Sequence, residues 1–154
     1  MKPVAKKATP AAIAVLRQAT AIAPLRMKAS DGLLPSNAHL KQSPVSDHNT
    51  GLAVDLTHDP KNGIDCADIF EILKADNRVK YLIFQGKIWS KEKAEQGNRQ
   101  YTGTNAHNKH LHISIVDSYS NDVSAWFPWL GKATTINKVK ANLPKPLPKK
   151  KEVK

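Results

Sequence analysis

The 154-residue chain has a single cysteine and no apolar run long enough to cross a membrane. One cysteine excludes an internal disulfide. Because Cys66 falls within a helical pattern, we interpret it as a small buried residue and not as a metal ligand. The alanine-rich N-terminal segment also lacks the uninterrupted apolar stretch of a signal peptide, since Arg17 and Gln18 interrupt it. We therefore expect the protein to remain in the cytoplasm of the producing cell after synthesis.

Acidic residues are scarce at the two ends of the chain. The formal net charge is +11. Residues 132–154 contain eight lysines and one glutamate, a net +7, and three lysines among residues 1–9 contribute +3, which leaves +1 for residues 10–131. The middle of the chain is thus nearly neutral, and it is long enough to form one domain with a core of its own.

The basic ends are interpreted as an arm over residues 1–9 and a flexible Lys/Pro-rich tail over residues 132–154. The tail cannot bury enough apolar surface to order itself. Its charge suits anionic wall polymers or lipid headgroups, and a solvated tail with no specific partner is the alternative. Nucleic acid would attract the same charge, but a nucleic-acid-binding protein would leave the histidine spacing below unexplained. We expect no specific nucleic acid partner, and we expect a monomer.

The middle segment mixes helical and strand patterns. Thr9 is suited to cap a helix that has Pro10 in its first position. A second helix is predicted near residues 64–75, where apolar side chains recur at helical spacing. Apolar runs near residues 79–84 and 88–89 are typical of strands. An aromatic cluster at residues 126–129 ends the segment; it could stack on sugars, but core packing is the commoner role for such a cluster.

The stretch from Ser46 to Asp55 reads as a turn followed by a strand. Its first half is rich in turn formers, and residues 52–56 alternate as a strand does. Leu52, Val54 and Leu56 should then face a core, which leaves Asp55 on the opposite face beside a small alanine. His48 in the turn and Asp55 on the strand are both potential metal ligands.

A second motif lies about fifty residues later, in His107-Asn108-Lys109-His110-Leu111-His112. The run that follows is β-branched and alternates, so His110 and His112 should share one face of a strand. One of them could bind a metal ion while the other stands beside a metal-bound water. Two histidines and one aspartate fill three positions of a tetrahedron, and an open fourth position is typical of catalytic zinc.

Together the two motifs resemble those of zinc peptidases that cut peptidoglycan peptides. These are the D-alanyl-D-alanine metallopeptidases, grouped with lysostaphin-type endopeptidases and the hedgehog domain. More narrowly, the chain looks like a phage endolysin of that group. The likeness covers most of residues 10–131. It implies an α+β fold in which a small antiparallel sheet carries the metal ligands and helices pack against it. It also implies a hydrolase that reaches the bacterial wall through a separate membrane-permeabilising partner.

The resemblance assigns roles to individual residues. His48, Asp55 and His112 match the ligands of a single Zn²⁺, and His110 matches the general base. Many relatives carry an acidic residue three positions before the last ligand. Lys109 stands there in this chain, so either His110 or His107 must take the proton.

Three residues are candidates for contacts with the peptide substrate. Relatives use an arginine upstream of the first ligand to hold a substrate carboxylate, which points to Arg26, with a surface arginine as the alternative. Ser46 is a second candidate. Tyr101 could donate a hydrogen bond to the tetrahedral intermediate or serve as a packed aromatic. A non-catalytic, hedgehog-like zinc-binding domain is the rival to the enzyme.

Overall fold

The computed structural model describes residues 7–35, 46–103 and 105–128. The predicted tail over residues 132–154, most of the predicted arm over residues 1–9 and Trp129 lie outside the described residues. Within the described ranges the chain forms an α+β fold with two α-helices and one five-stranded antiparallel sheet, so the predicted fold class is confirmed at this level. No helix in these ranges has the length and apolar character needed to span a bilayer.

The sheet has the spatial order β1-β5-β2-β3-β4, and each neighbouring pair of strands is antiparallel. The late strand β5 therefore lies between β1 and β2. The strands are β1 (Ala53–Thr57), β2 (Val79–Phe84), β3 (Lys87–Ser90), β4 (Arg99–Gln100) and β5 (His110–Ile115). The helices are α1 (Pro10–Ile22) and α2 (Cys66–Leu73).

Helix α1 begins as the sequence predicts. The Thr9 hydroxyl accepts a hydrogen bond from the backbone N–H of Ala12 at 3.4 Å, and Pro10 occupies the first helical position. Thr9 also donates two hydrogen bonds to the carbonyl oxygen of Gly51, from its backbone N–H at 3.0 Å and from its hydroxyl at 2.8 Å. The start of the helix is thereby joined to the turn that leads into β1.

Helix α2 is capped by Asp65, whose carboxylate accepts hydrogen bonds from two backbone N–H groups of the first turn at 2.9 and 3.4 Å. Its predicted apolar residues Ile69, Ile72 and Leu73 are buried against the sheet. Cys66 is also fully buried, and burial raises the pKa of its thiol. The expectation that Cys66 is a core residue is therefore confirmed.

The two faces of the sheet differ in composition because the side chains of each strand alternate. The face covered by α1 and α2, called here the core face, is apolar and almost fully buried. The other face, called here the site face, carries Asp55, His110 and His112. The core face includes Val54, Leu56, Leu82, Leu111, Ile113 and Ile115. The predicted inward orientation of Leu52, Val54 and Leu56 is confirmed.

A β-bulge changes which residues of β2 reach the site face. Val79 pairs with Ile115, but Tyr81 pairs with Ser114, so one extra residue, Lys80, is accommodated between them. Simple alternation would place Tyr81 on the same face as buried Val79. The bulge moves Tyr81 to the site face, where it lies beside the histidines.

The aromatic pair Trp126 and Phe127 belongs to the core. The two side chains are 1% and 2% exposed. The indole N–H of Trp126 donates to the carbonyl oxygen of Ala11 at 3.2 Å, and the guanidinium of Arg78 lies 3.6 Å from the centre of an indole ring. For these two residues the structure selects core packing over a sugar-stacking surface.

Candidate metal centre

His48 is held in a 3₁₀ turn, Asp47–Thr50, that precedes β1. The hydroxyl of Ser46 caps this turn by accepting a hydrogen bond from the backbone N–H of His48 at 3.2 Å. Gly51 ends the turn at φ 73°, and a Cβ there would lie 2.9 Å from the carbonyl oxygen of Lys7. The structure thus gives Ser46 a part in positioning His48, while its predicted contact with substrate stays a prediction.

The three predicted ligands come together around one carboxylate oxygen. Register places Asp55 of β1 directly opposite His112 of β5. Oδ1 of Asp55 lies 3.2 Å from Nε2 of His48 and 3.2 Å from Nδ1 of His112. One ligand atom from each residue lies within 4.8 Å of the others. This group could hold a metal ion.

The outer nitrogens of the two imidazoles are fixed by the protein. Nδ1 of His48 lies 2.7 Å from the carbonyl oxygen of Leu33, which only accepts hydrogen bonds. Nδ1 must therefore carry the proton, and Nε2 of the neutral ring presents a lone pair to the Asp55 carboxylate. Nε2 of His112 is likewise bonded to the hydroxyl of Ser114 at 2.8 Å. Outer bonds of this kind orient metal-ligating histidines.

Two acceptor atoms that face each other at 3.2 Å repel unless a proton or a cation lies between them. The donor set of His48, Asp55 and His112 therefore fits a metal ion. Burial would raise the pKa of Asp55, but the hydrogen bonds and charges of His112 and His48 lower it. Burial would lower the pKa of His48, but the hydrogen bond and charge of Asp55 raise it overall. A proton and a metal ion consequently compete for the same nitrogen.

His107 and His110 lie on the other side of Asp55. Nε2 of His110 is 3.6 Å from Oδ2 of Asp55. The centres of the His107 and His110 rings are 4.8 Å apart. Both Nδ1 of His107 and Nε2 of His110 are buried, and neither finds a hydrogen-bond partner among the described residues. Burial, with the charges of His112 and His110, lowers the pKa of His107 to about 4. Burial also lowers the pKa of His110, which favours the neutral form of its ring.

The loop before β5 places His107 over the site. His107 adopts φ 57°, the left-handed conformation that non-glycine residues seldom use. Asn105 stabilises this conformation by accepting from the backbone N–H of His107 at 3.0 Å, and the carbonyl oxygen of His107 accepts from Gln85 at 3.0 Å. The loop is thus attached to the turn between β2 and β3. An uncommon backbone conformation that is held from both sides is typical of functional sites.

Tyr101 lies at the edge of this group. Its ring meets the His107 ring edge-on at 5.5 Å, and its backbone N–H donates to the carbonyl oxygen of Gly86 at 2.8 Å. The residue therefore lies beside the histidines. Its proposed hydrogen bond to a reaction intermediate stays a prediction.

Arg26 has a different place from the one predicted. Its side chain is 1% exposed, and Nη2 lies 2.7 Å from Oδ2 of Asp31. The remaining donors bond to the Thr20 hydroxyl and to backbone carbonyl oxygens. Asp31 in turn accepts from the hydroxyl of Thr57 at 2.7 Å. Because this guanidinium is engaged within the protein, the arrangement favours a structural ion pair over a contact with substrate.

Two residues of the centre were missed by sequence reasoning. Ser114 is fully buried and bonds His112, and Tyr81 stacks on the His112 ring at 5.3 Å with an interplanar angle of 15°. Ser114 follows His110 and His112 in the same alternation, which is a signal that sequence could have supplied. Tyr81 reaches the site face only because of the bulge, and no local sequence pattern predicts that bulge.

Arg99 was also missed. Successive cross-strand pairs form one row across the sheet, and residues in such a row share a face. Nε of Arg99 is buried without a hydrogen-bond partner, and no described carboxylate pairs with the guanidinium. Among the described residues the guanidinium thus has no carboxylate partner, and its Nη2 donates to the hydroxyl of Ser90 at 3.0 Å. The row runs Gly32, Asp55, His112, Ile83, Ile88 and Arg99.

A family model described as VldE, C-terminal domain, matches residues 5–112. This match covers 108 of the 154 residues. The chain belongs to the VldE C-terminal domain family. In this VldE-family chain the matched region includes Asp55 and the four histidines grouped around it, and it ends at His112. Comparisons with curated proteins and with solved structures found no match.

Proposed function

We propose that this VldE-family protein is a zinc-dependent peptidase that hydrolyses an amide bond of peptidoglycan peptides. The proposal includes the finer fold assignment, a domain similar to those of D-alanyl-D-alanine metallopeptidases and the hedgehog domain. It rests on the motif resemblance and on the geometry of the described residues around Asp55.

The observation that carries the proposal is the arrangement of His48, Asp55 and His112. Three ligand atoms converge within 4.8 Å, and the outer nitrogens of both imidazoles are occupied by Leu33 and Ser114. This is the number and type of ligands found in catalytic zinc sites, where a fourth position stays open. A structural zinc site would require a fourth protein ligand, and the single cysteine is fully buried in the core.

Zinc held by these residues would supply Lewis acidity and a water of lowered pKa. His110 would act beside it as the general base. Its Nε2 is buried and lacks a hydrogen-bond partner in the described structure, and burial lowers the pKa of the ring, which favours its neutral form. A neutral imidazole accepts a proton from the attacking water and returns it to the leaving amine. His107 packs edge-on against His110 and limits the motion of its ring.

The substrate carboxylates have a candidate partner in Arg99, which replaces Arg26 in this role. Arg99 lies in the same cross-strand row as Asp55 and His112, with three strands between its own strand and β1. Strands in a sheet are about 4.8 Å apart, so a peptide laid across the site face would extend from the metal centre to the guanidinium. Arginine favours carboxylates because its planar fork donates two parallel hydrogen bonds.

The experiment is digestion of purified peptidoglycan by the metal-loaded protein, with mass spectrometry of the released muropeptides. We expect new amino and carboxyl termini at one amide bond, loss of the products on chelation, and recovery on addition of Zn²⁺. Glu92→Gln, an exposed carboxylate on the loop after β3, is a matched control that should leave the products unchanged. Tight zinc binding without any cleavage would contradict the enzyme and favour a non-catalytic zinc domain.

A further inference from the structure

The two oxygens of the Asp55 carboxylate face two different sets of imidazoles. Oδ1 lies 3.2 Å from both His48 and His112, whereas Oδ2 lies 3.6 Å from Nε2 of His110. His107 completes the second set. Its ligand atom, with those of Asp55 and His110, again lies within 4.8 Å of the others. The carboxylate is therefore common to two groups of potential ligands.

We propose that Asp55, His107 and His110 form a second divalent-cation site, of lower affinity than the first, and that the Asp55 carboxylate bridges the two ions. The second ion would be bound by Oδ2 of Asp55, Nδ1 of His107 and Nε2 of His110. Two nitrogens and one carboxylate oxygen suit zinc and its borderline neighbours. Paired ions in known two-metal sites lie roughly 3.5–4 Å apart.

The strongest support for this inference comes from one nitrogen of His107 and one of His110. Nδ1 of His107 and Nε2 of His110 are buried polar atoms without a hydrogen-bond partner among the described residues. His107 is only 8% exposed. Buried polar atoms that are left unpaired are costly, and a cation bound by both nitrogens beside the Asp55 carboxylate would explain their placement.

The surroundings of Oδ2 support access for an ion. Gly32 pairs with Asp55 on the outer side of β1. A Cβ at position 32 would lie 3.2 Å from Oδ2, closer than an ordinary contact. Because residue 32 is glycine, no Cβ crowds this oxygen. The side chain of Asp55 is 18% exposed, so a cation can reach it from solvent.

Charge makes the second site the weaker one. A first divalent ion together with the Asp55 carboxylate leaves a net charge of +1, and it repels a second cation a few ångströms away. We expect the second dissociation constant to be at least about tenfold larger than the first.

Filling the second site has a consequence that rests on the proposed function. The ion takes the lone pair of Nε2 of His110, the atom that accepts the proton in the proposed reaction. Excess divalent cation should therefore inhibit hydrolysis, with half-inhibition at the concentration that half-fills the second site. The inhibition would involve no competition with the peptide for the first ion.

The test is equilibrium dialysis of the full chain against Zn²⁺, with the bound metal measured per chain. Wild-type protein should bind two equivalents, and His107→Asn should bind one at the same affinity as the first wild-type equivalent. Asparagine tolerates the left-handed backbone of residue 107 and ligates metals poorly. His110→Ala should also lose the second equivalent. His58→Asn is the control, because His58 lies outside both ligand groups, and it should still bind two.

Cobalt provides a second measurement that does not depend on a variant. With Co²⁺ the electron paramagnetic resonance signal of the first equivalent should change when the second binds, since ions bridged by one carboxylate are magnetically coupled. Strictly additive spectra would overturn the bridged site. So would a single equivalent in wild-type protein at a hundredfold excess over the first dissociation constant, or a second equivalent that persists in both His107→Asn and His110→Ala.

Hydrolysis separates this inference from the proposed function. If no peptidoglycan is cleaved at any zinc concentration, the proposed function fails while the metal stoichiometry still decides the second site. If cleavage occurs and remains at its full rate when two equivalents are bound, the inhibitory role is wrong.

Discussion

The two faces of the sheet are made from the same strands but differ in their effect on stability. In β5, Leu111 and Ile113 on the core face are fully buried among apolar side chains. Their neighbours on the site face are polar: His112 is buried and the side chain of His110 is 13% exposed. Nε2 of His110 has no hydrogen-bond partner among the described residues. Apolar burial stabilises the fold, whereas buried unpaired polar atoms reduce stability. The core face therefore supplies the stability of the fold, and it offsets the cost of the buried polar residues on the site face.

Asp55→Asn should have the largest effect on the site face and little effect on the core face. It removes the carboxylate shared by both ligand groups. We expect zinc retained through gel filtration to fall to background and hydrolysis to become undetectable. The fold should persist, because the core face is unchanged, and circular dichroism would check this. Retention of a full zinc equivalent by the folded variant would show that Asp55 is not a ligand.

His110→Ala should separate catalysis from metal binding. Loss of the general base is expected to reduce hydrolysis by about 10²–10⁴-fold, while the first zinc equivalent stays bound through His48, Asp55 and His112. Muropeptide release gives the rate, and metal analysis gives the occupancy. A wild-type rate in this variant would make the base assignment wrong and direct attention to His107.

Leu111→Ala changes the adjacent residue on the opposite face. Leu111 is fully buried, so its truncation should lower the free energy of unfolding by about 2–5 kcal/mol. The folded variant should bind zinc with wild-type affinity. Urea unfolding of the apoprotein and zinc titration at low temperature measure the two quantities. A large loss of zinc affinity in the folded state would show that the two faces are less independent than we infer.

Ser114→Ala tests whether residues outside the ligand set act on the metal. The hydroxyl of Ser114 bonds Nε2 of His112 at 2.8 Å. Removing such an outer partner typically weakens metal binding by about 10–100-fold. Ser90→Ala is the matched control, since Ser90 is on the site face but bonds Arg99 instead. Equal zinc affinities for the two variants would argue against this role.

Arg99→Ala should have the smallest effect, and it should change only the binding of substrate. We expect KM to rise by roughly tenfold, the value of one charge-assisted hydrogen bond, with kcat and zinc occupancy nearly unchanged. Arg99→Lys keeps the charge without the planar fork and should recover part of the loss. An unchanged KM in the alanine variant would remove Arg99 from the substrate site.

Local patterns in the sequence predicted more of the fold than of the site. Thr9 and Pro10 marked the start of α1, and alternation over residues 52–56 gave the correct inward side chains. The same alternation put His110 and His112 on one face. Each of these features depends on residues close together in the chain, so their spacing alone carries the information.

Long-range contacts were beyond that kind of reasoning. Arg26 was expected to hold a substrate carboxylate or to lie on the surface, but the fold provides Asp31 and Thr20 as partners and buries it. No pattern in the sequence around Arg99 indicated a role at the site. Pairing of β4 with β3 places Arg99 in the row that contains His112 and Asp55.

The sequence by itself determined which residues could be ligands and which face of each strand they occupy, because side-chain alternation is a property of the strand alone. Only the tertiary structure decided that β5 lies between β1 and β2, which brings Asp55 opposite His112. It also decided that a bulge turns Tyr81 toward the histidines and that the two oxygens of Asp55 face different imidazoles. Register between strands distant in the chain is set by the packing of whole elements, which no short stretch encodes.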